Sequence, residues 1–150
     1  MTTKEIPTTA PPGIEAVLAE ALRARGQRVT PQRLALARLI EESGDHTTAE
    51  ALHGRIRERM PGVSLPTVYA TLDLLEELGL IRRLLTESGA VVFDPNLERH
   101  HHLVCSSCGA IADLEAPLDD AALIFAARQA GFAPDQSQVV VSGRCSRCQR

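Results

Sequence analysis

Aromatic side chains are scarce in this 150-residue chain, which has one tyrosine, three phenylalanines and no tryptophan. Readers of RNA and of single-stranded DNA stack bases on aromatic rings, so the composition argues against both classes. Long apolar runs are also missing, since none approaches the roughly 18 consecutive residues of a membrane span. Residues 1–13 are rich in threonine and proline and lack the apolar stretch of a secretory signal. We therefore expect a cytoplasmic protein with no membrane partner and with a disordered tail over residues 1–13.

A large net charge is absent as well. Lysine and arginine total 16, and aspartate and glutamate total 19, so the net charge of −3 provides no general attraction for nucleic acid. The charge is unevenly spread, however, because no acidic residue lies between Ala21 and Ile40. Five arginines of this part of the chain are Arg23, Arg25, Arg28, Arg33 and Arg38. They form either a solvated helix face or a local contact for DNA.

The first half of the chain carries helical periodicity and capping signals. Thr30 followed by a proline predicts a helix N-terminus, the segment Thr47-Thr48-Ala49-Glu50 has the capping-box pattern, and Ser64 is a further N-cap. The predicted helices begin near residues 14, 31, 48 and 65, and β-prone runs follow over 80–85 and 90–94. The last three of these helices, with their short connections and the following β-hairpin, indicate a winged helix-turn-helix, whose third helix enters the major groove.

The pattern changes after Pro95. Short strands are predicted at about 103–105, 110–115 and 138–142, and a helix between them begins at Asp119-Asp120 and ends at Gly131. The fold class is therefore α+β, with two domains. We assign residues 14–94 to a winged-helix DNA-binding domain, 95–98 to a hinge and 99–150 to a small α/β domain.

All four cysteines occur in two Cys-x-x-Cys pairs, Cys105 with Cys108 and Cys145 with Cys148. Four thiolates are the number that a tetrahedral structural Zn²⁺ takes. The alternative is a pair of redox dithiols, which usually occur singly after a strand that feeds a helix. The spacing favours one structural zinc site.

Three consecutive histidines, His100, His101 and His102, precede the first cysteine pair. In an extended segment His100 and His102 project from one face. If Cys105 to Cys108 makes the hairpin turn, His102 lies opposite about residue 111 and His100 opposite about Asp113. Imidazole and carboxylate ligands suit Fe²⁺, Mn²⁺ or Zn²⁺, so a second, exchangeable metal site is predicted. The alternative is solvated surface histidines, and His53, which lies in a helix without partners, is interpreted as structural.

The sequence resembles the ferric uptake regulator family from about Val17 to Gln149. The segments that carry the resemblance are Gly26-Gln27-Arg28-Val29-Thr30-Pro31-Gln32-Arg33, His46-Thr47-Thr48-Ala49-Glu50, Ser64-Leu65-Pro66-Thr67-Val68-Tyr69, Phe93-Asp94, residues 100–109 and residues 143–148. The resemblance implies an N-terminal winged helix, a C-terminal dimerisation domain, a Cys₄ zinc and a sensory metal held between the domains. It implies a repressor that binds palindromic operator DNA as a homodimer.

The resemblance also implies particular site residues. The regulatory metal ligands would be His46, Asp94, His100, His102 and Asp113. Among the DNA contacts, Arg28 would reach the minor groove, Thr67 and Tyr69 the major groove, and Ser64 would contribute nearby. Ala70 departs from the arginine or asparagine that the family often has there, so the operator sequence is left open. An additional family site around His101 lacks its histidine, because no histidine follows His102.

Position 113 bears on the branch of the family. Asp113, where iron sensors carry glutamate, resembles the peroxide-stress regulators, in which bound Fe²⁺ reacts with hydrogen peroxide and a ligand histidine is oxidised. The expected function is a peroxide-responsive repressor with Fe²⁺ or Mn²⁺ as corepressor. The alternatives are an iron- or zinc-uptake repressor, with Zn²⁺ in the regulatory site, and more distantly a metal-dependent enzyme. No general acid, base or nucleophile stands out beside the ligands, so an enzyme is not expected.

Overall fold

The computed structural model describes residues 12–86 and 89–150, and the expected disordered tail lies, up to residue 11, outside the described residues. The elements in chain order are α1 (Ile14–Ala24), α2 (Pro31–Ser43), α3 (Ala49–Arg59), α4 (Leu65–Glu77), β1 (Arg82–Leu85), β2 (Val91–Asp94), β3 (His101–Cys105), β4 (Ile111–Leu114), α5 (Ala121–Gln129) and β5 (Val140–Gly143). The predicted α+β class is confirmed. None of the described helices has the length and apolar character that a membrane crossing requires.

The chain divides into two units by its internal contacts. The N-terminal unit holds the chain up to Arg83 together with Phe93–Asn96, and the C-terminal unit holds Leu84–Val92 and Leu97–Arg150. In the N-terminal unit, α1 to α4 enclose an apolar core that Phe93 completes. Its fully buried side chains include Leu18, Leu22, Leu36, Ile40, Leu52, Ile56, Val68, Leu72 and Leu75. The helices and the β1–β2 hairpin follow the order of a winged helix-turn-helix.

Side-chain caps begin three of these helices. The hydroxyl oxygens of Thr30, Thr48 and Ser64 accept hydrogen bonds from backbone N–H groups three residues further on, at 3.4, 3.1 and 3.3 Å. The capping box expected over 47–50 is wrong. The cap of α3 is Thr48, one residue later than a box with Glu50 requires, so Glu50 lies in the second position of the helix and is available for another contact.

The C-terminal unit contains a three-stranded sheet in the order β4-β3-β5. Strand β3 is antiparallel to β4 and parallel to β5. Helix α5 has no buried residue in this chain. The histidine triplet lies at the start of β3, the central strand of this sheet.

The expected register of β3 and β4 is wrong by two residues. His102, expected opposite residue 111, pairs with Asp113, which was expected opposite His100. The turn was expected to span Cys105 to Cys108, but it extends one residue further. It includes Gly109, whose φ of 72° suits a residue without a Cβ. Side chains alternate with a period of two, so an even shift leaves Asp113 on the face of the two ligand histidines.

Candidate metal centre

The four cysteines converge in the C-terminal unit. Residue Cys105 ends β3 and pairs with Gly143 of β5, so the parallel strands bring the chain segment of Cys145 beside it. The four Sγ atoms lie within 4.8 Å of one another, and Cys108 Sγ is 3.8 Å from Cys145 Sγ. Zinc–sulfur bonds of about 2.3 Å place tetrahedral ligands about 3.8 Å apart. The arrangement fits one Zn²⁺ better than two separate dithiols.

The thiols of this cluster influence one another. The backbone N–H of Cys145 points at Cys105 Sγ at 3.3 Å and lowers the pKa of that thiol to about 6. The hydrogen bond of Cys148 with Cys145 raises the pKa of Cys148 to about 12. A divalent cation bound here would stabilise several thiolates at once, because it favours the deprotonated form of each cysteine.

In the N-terminal unit, a short bridge brings a histidine beside an aspartate. Thr47 and Phe93 exchange two backbone hydrogen bonds of 3.0 and 2.8 Å. The residues before and after them are therefore neighbours across the bridge, and His46 Nε2 lies 3.5 Å from Asp94 Oδ2. Both side chains are buried, at 5% and 2% exposed. An imidazole and a carboxylate buried together are a two-ligand set for a metal.

In the C-terminal unit, the predicted convergence of two histidines and an aspartate is observed. The rings of His100 and His102 have centroids 4.5 Å apart, and His100 Nε2 lies 3.4 Å from Asp113 Oδ1. One ligand atom from each of these three residues falls within 4.8 Å of the others. His102 is 1% exposed, whereas the Asp113 side chain is 41% exposed. The trio is a three-ligand set that reaches from a buried strand to solvent.

In two of these histidines, His46 and His100, the Nδ1 atom of the ring already forms a hydrogen bond. His46 Nδ1 is 3.0 Å from Asp45 Oδ1, and His100 Nδ1 is 2.8 Å from the carbonyl oxygen of Glu98. Both partners accept hydrogen bonds, so each Nδ1 carries the proton and donates. Each Nε2 then has its lone pair directed away from the backbone, which is the tautomer that ligates a metal.

Other histidines play different roles. His53 Nε2 is 2.9 Å from the carbonyl oxygen of Val63, so its N–H donates there and ties α3 to the segment before α4. The interpretation of His53 as structural fits this contact. His101 Nε2 lies 3.8 Å from Asp120 Oδ1, and Arg99 also pairs with Asp120.

The residues expected to touch DNA lie at the start of α4 and before α2. Ser64 Oγ is 2.9 Å from Thr67 Oγ1 at the N-terminus of α4. Tyr69 donates its hydroxyl hydrogen to Glu50 Oε1 at 2.7 Å. Arg28 is exposed and forms no ion pair among the described residues, although its carbonyl accepts from Arg33.

All three acidic residues of α4 form ion pairs with arginines. Arg83 bonds to Asp73 at 2.5 Å and to Glu76 at 2.8 Å, and Arg25 bonds to Glu77 at 2.9 Å. These pairs connect the carboxylates of α4 to β1 and to the residue that follows α1. Arg38 is likewise paired with Glu15, so Arg25 and Arg38 are the members of the arginine run that form ion pairs within residues 12–86 and 89–150.

Three partners of the site residues were missed from the sequence. Asp45 adjoins His46, and an acid beside a candidate ligand was a signal that could have been used. Glu50 was interpreted as a capping residue and instead accepts from Tyr69. Gln138 Nε2 lies 3.0 Å from His102 Nδ1, and nothing in the sequence pattern marks it, because the contact depends on the parallel pairing of β3 and β5.

Comparison with known proteins gives a consistent result. The model of the ferric uptake regulator family matches residues 24–142. The chain is 30% identical over 128 residues to the peroxide-responsive repressor PerR of Staphylococcus epidermidis, and the match covers 85% of each chain.

Solved structures agree with this match. The ferric uptake regulator of Helicobacter pylori has a TM-score of 0.80 at 22% identity and covers 91% of this chain and 92% of its own, which shows the fold. A zinc-bound manganese uptake regulator is 31% identical, has a TM-score of 0.65, and covers 85% of this chain and 98% of its own. The similarity extends over both units.

Proposed function

Because the chain belongs to the ferric uptake regulator family, and is thus a metal-responsive transcriptional regulator, we propose that it is a repressor with a metal corepressor and with peroxide as its inducer. The family and the relatives are regulators, which confirms the expectation that the chain is not an enzyme. Members of the family bind DNA and dimerise. The proposed domain limits remain 14–94 for DNA binding, 95–98 for the hinge and 99–150 for dimerisation.

The structural metal of this proposal is Zn²⁺, held by Cys105, Cys108, Cys145 and Cys148. The convergence of four Sγ atoms supports it. A closed thiolate cage of this kind ties the end of β3 to the end of β5, and so stabilises the sheet whose central strand carries the histidine triplet.

The regulatory ion would be ligated by His46 and Asp94 from one unit and by His100, His102 and Asp113 from the other. The convergence of the last three is the observation that carries the proposal. The N-terminal pair and the C-terminal trio each offer fewer ligands than the five or six that Fe²⁺ and Mn²⁺ commonly take, so each set alone is incomplete. An ion that needs ligands from both units stabilises only the arrangement in which both present them. Metal binding then favours the DNA-binding form.

The DNA partner would be a palindromic operator bound by a homodimer. Two winged helices related by a two-fold axis match two half-sites one helical turn apart. Arg28 would enter the narrow minor groove, whose negative potential favours arginine, and Ser64, Thr67 and Tyr69 would meet the major groove.

The exposed apolar side chains of the C-terminal unit support a second copy of this chain as the dimer partner. Phe125 and Phe132 are 64% and 72% exposed, and Val141 of β5 is 46% exposed. An open groove of about 330 Å³ lies along the sheet beside Val141 and Leu103. Large apolar side chains exposed to this extent are typical of surfaces that are covered in a stable dimer.

Peroxide sensing is the finer part of the proposal. It is supported by the PerR relative and by an aspartate at position 113. Bound Fe²⁺ would supply one-electron cleavage of the peroxide O–O bond, which Mn²⁺ does poorly. His46 and His100 would be the residues oxidised, and an oxidised imidazole is a poor ligand. Loss of either weakens the hold on the closed arrangement, and DNA is released.

A second candidate is a metal-uptake repressor without peroxide sensing. The manganese uptake regulator at 31% identity favours it, because the same ligand types serve Mn²⁺, Fe²⁺ and Zn²⁺. The two functions share the fold, the zinc and the DNA partner, and differ only in what releases the DNA.

The test begins with zinc-loaded protein freed of the regulatory metal. Duplex DNA selected from a random pool is the probe, and Fe²⁺, Mn²⁺ or Zn²⁺ is added without oxygen. We expect Fe²⁺ and Mn²⁺ to restore binding, and expect Arg28→Ala and Tyr69→Ala each to weaken it about tenfold or more. DNA binding that no metal changes would contradict the proposed function.

Treatment with a low concentration of hydrogen peroxide then distinguishes the peroxide-responsive repressor from the metal-uptake repressor. The Fe²⁺ form should release DNA and gain one oxygen on a peptide that contains His46 or His100, while the Mn²⁺ form stays bound. Asp113→Glu should show much less of this oxidation. Equal loss in both metal forms, or oxidation of cysteines only, would assign the protein to metal uptake instead.

A further inference from the structure

Helix α4, the third helix of the winged helix-turn-helix, lacks the side chains that most often read bases. Residues 65–77 contain no arginine, lysine, asparagine or glutamine, which are the usual partners of guanine and adenine in the major groove. Its three acidic residues are held by arginines, and Thr71 is buried and donates to the carbonyl oxygen of Thr67 at 2.8 Å. Thr67 and Tyr69 are therefore the polar side chains of α4 that remain for contact with a base.

Tyr69 is joined to an acidic side chain of the preceding helix. Its hydroxyl group donates to Glu50 Oε1 at 2.7 Å, which connects the second turn of α4 to the start of α3. Glu50 is exposed, and Tyr69 is half-buried. An ionised carboxylate only accepts hydrogen bonds, and the bond from Tyr69 lowers the pKa of Glu50, so the carboxylate stays ionised at neutral pH. The hydroxyl hydrogen of Tyr69 is thus used within the protein.

The Glu50–Tyr69 pair can offer only acceptors to DNA. The groups that remain are the carboxylate oxygens and a lone pair of the tyrosine oxygen. In the major groove, guanine presents two acceptors, thymine an acceptor and a methyl group, and adenine an amino donor beside an acceptor. Cytosine presents an amino donor without an acceptor of its own. An acceptor that faces another acceptor loses its hydrogen bond with water and gains none, so the pair fits cytosine best.

On the basis of the proposed function, we propose that Glu50 is a specificity-determining residue that accepts a hydrogen bond from the N4 amino group of one cytosine in each operator half-site. The bond from Tyr69 positions the carboxylate beside α4, so the reading group comes from α3. Its negative charge is repelled by phosphate and adds little to overall affinity. At a site without the cytosine the carboxylate loses water and gains no partner, which weakens binding. Glu50 therefore selects mainly by excluding other bases.

Operator duplexes that the wild type, loaded with zinc and Mn²⁺, selects from a random pool test this assignment. Each half-site position is changed to all four bases, and dissociation constants are measured for the wild type, Glu50→Ala and the control Glu58→Ala, which removes an exposed acid of the same helix. We expect the wild type and Glu58→Ala to prefer cytosine at one position by about tenfold. Glu50→Ala should lose this preference by binding the other bases more tightly. A Glu50→Ala protein that keeps the wild-type preference at every position, or loses it for a base other than cytosine, would overturn the proposal.

Deletion of the amino group from the DNA tests the contact itself. The cytosine of the preferred position is replaced by 2-pyrimidinone, which is cytosine without its amino group. The wild type should bind this duplex about fivefold or more weakly than the cytosine duplex, whereas Glu50→Ala should bind both equally. Equal binding of the two duplexes by the wild type, or the same loss in Glu50→Ala, would contradict the contact.

Tyr69→Phe separates the two members of the pair, because it keeps the ring and the carboxylate and removes the hydroxyl group. It should retain part of the discrimination between the two duplexes. If Tyr69→Phe abolishes the discrimination and Glu50→Ala retains it, the tyrosine is the reader and the proposal is wrong. If the wild type selects no operator, the proposed function fails and this proposal with it, whereas operator binding without a cytosine preference that depends on Glu50 overturns this proposal alone.

Discussion

At the scale of single residues, chemistry is set by what each side chain accepts or donates. The two Cys-x-x-Cys pairs could be assigned from the sequence, because four soft ligands at that spacing have few other uses. The partners of the ligand histidines were only partly accessible: Asp45 adjoins His46 and the carbonyl of Glu98 lies two residues before His100, whereas the amide of Gln138 reaches His102 only through the pairing of β3 and β5. Ligands are visible in sequence motifs, whereas the groups that orient them depend on the fold.

The zinc assignment makes a prediction at this scale. Cys145→Ser removes one thiolate, so we expect the variant to lose its zinc and to unfold at a lower temperature or fail to dimerise. Ser146→Ala, inside the same Cys-x-x-Cys pair, should retain one zinc per chain. Metal content by mass spectrometry and oligomeric state by light scattering are the measurements. A folded dimeric Cys145→Ser with unchanged zinc would show that the four cysteines are not its ligands.

At the scale of elements, the starts of the helices could be predicted from the sequence. The capping box of α3 and the register between β3 and β4 were predicted wrongly. Pro31 and Pro66 lie in the first turns of α2 and α4, where a missing N–H has no cost, and both helices begin as expected. The capping box failed because α3 begins one residue later than expected, which leaves Glu50 at the second helical position, where it accepts a hydrogen bond from Tyr69 of α4. The β3–β4 register failed because the turn length depends on a left-handed Gly109.

The contact between α3 and α4 predicts a pH dependence. The Tyr69 hydroxyl lowers the pKa of Glu50 below 4.5, and Glu50 raises the pKa of Tyr69 above 10.0. The contribution of Glu50 to stability is therefore present above pH 4.5 and is lost as pH falls through its lowered pKa. That of Tyr69 is present below pH 10.0 and is lost as pH rises through its raised pKa. The contact is at full strength between these limits.

The tyrosine titration is measurable because the chain has one tyrosine and no tryptophan. Glu50→Gln removes the negative charge and the strong acceptor, so the pKa of Tyr69 should fall toward 10.0 in an ultraviolet titration. Glu58→Gln, on the same helix, should titrate like the wild type. Identical curves for Glu50→Gln and the wild type would mean that the two side chains do not interact in solution.

At the scale of the whole molecule, the proposed regulatory ligands belong to two separate units. His46 and Asp94 are brought together by the Thr47–Phe93 bridge, and the trio by the β3–β4 pairing. Spacing along the chain predicted the trio, because its members share one face of a hairpin. The other two were assigned only through the family resemblance, since residues 48 positions apart in sequence give no periodic signal.

The central claim is that one regulatory ion needs both units and controls DNA binding, and Mn²⁺ titration of zinc-loaded protein tests it most directly. Calorimetry and DNA binding are followed in His46→Ala, His100→Ala and the control His53→Ala. The account predicts that His46→Ala and His100→Ala each lower the affinity for the same Mn²⁺ ion by about 10-fold or more. Both variants should also lose metal-dependent DNA binding, whereas His53→Ala should retain the Mn²⁺ affinity and the DNA binding of the wild type. A His46→Ala protein that binds Mn²⁺ and DNA as the wild type does would contradict it.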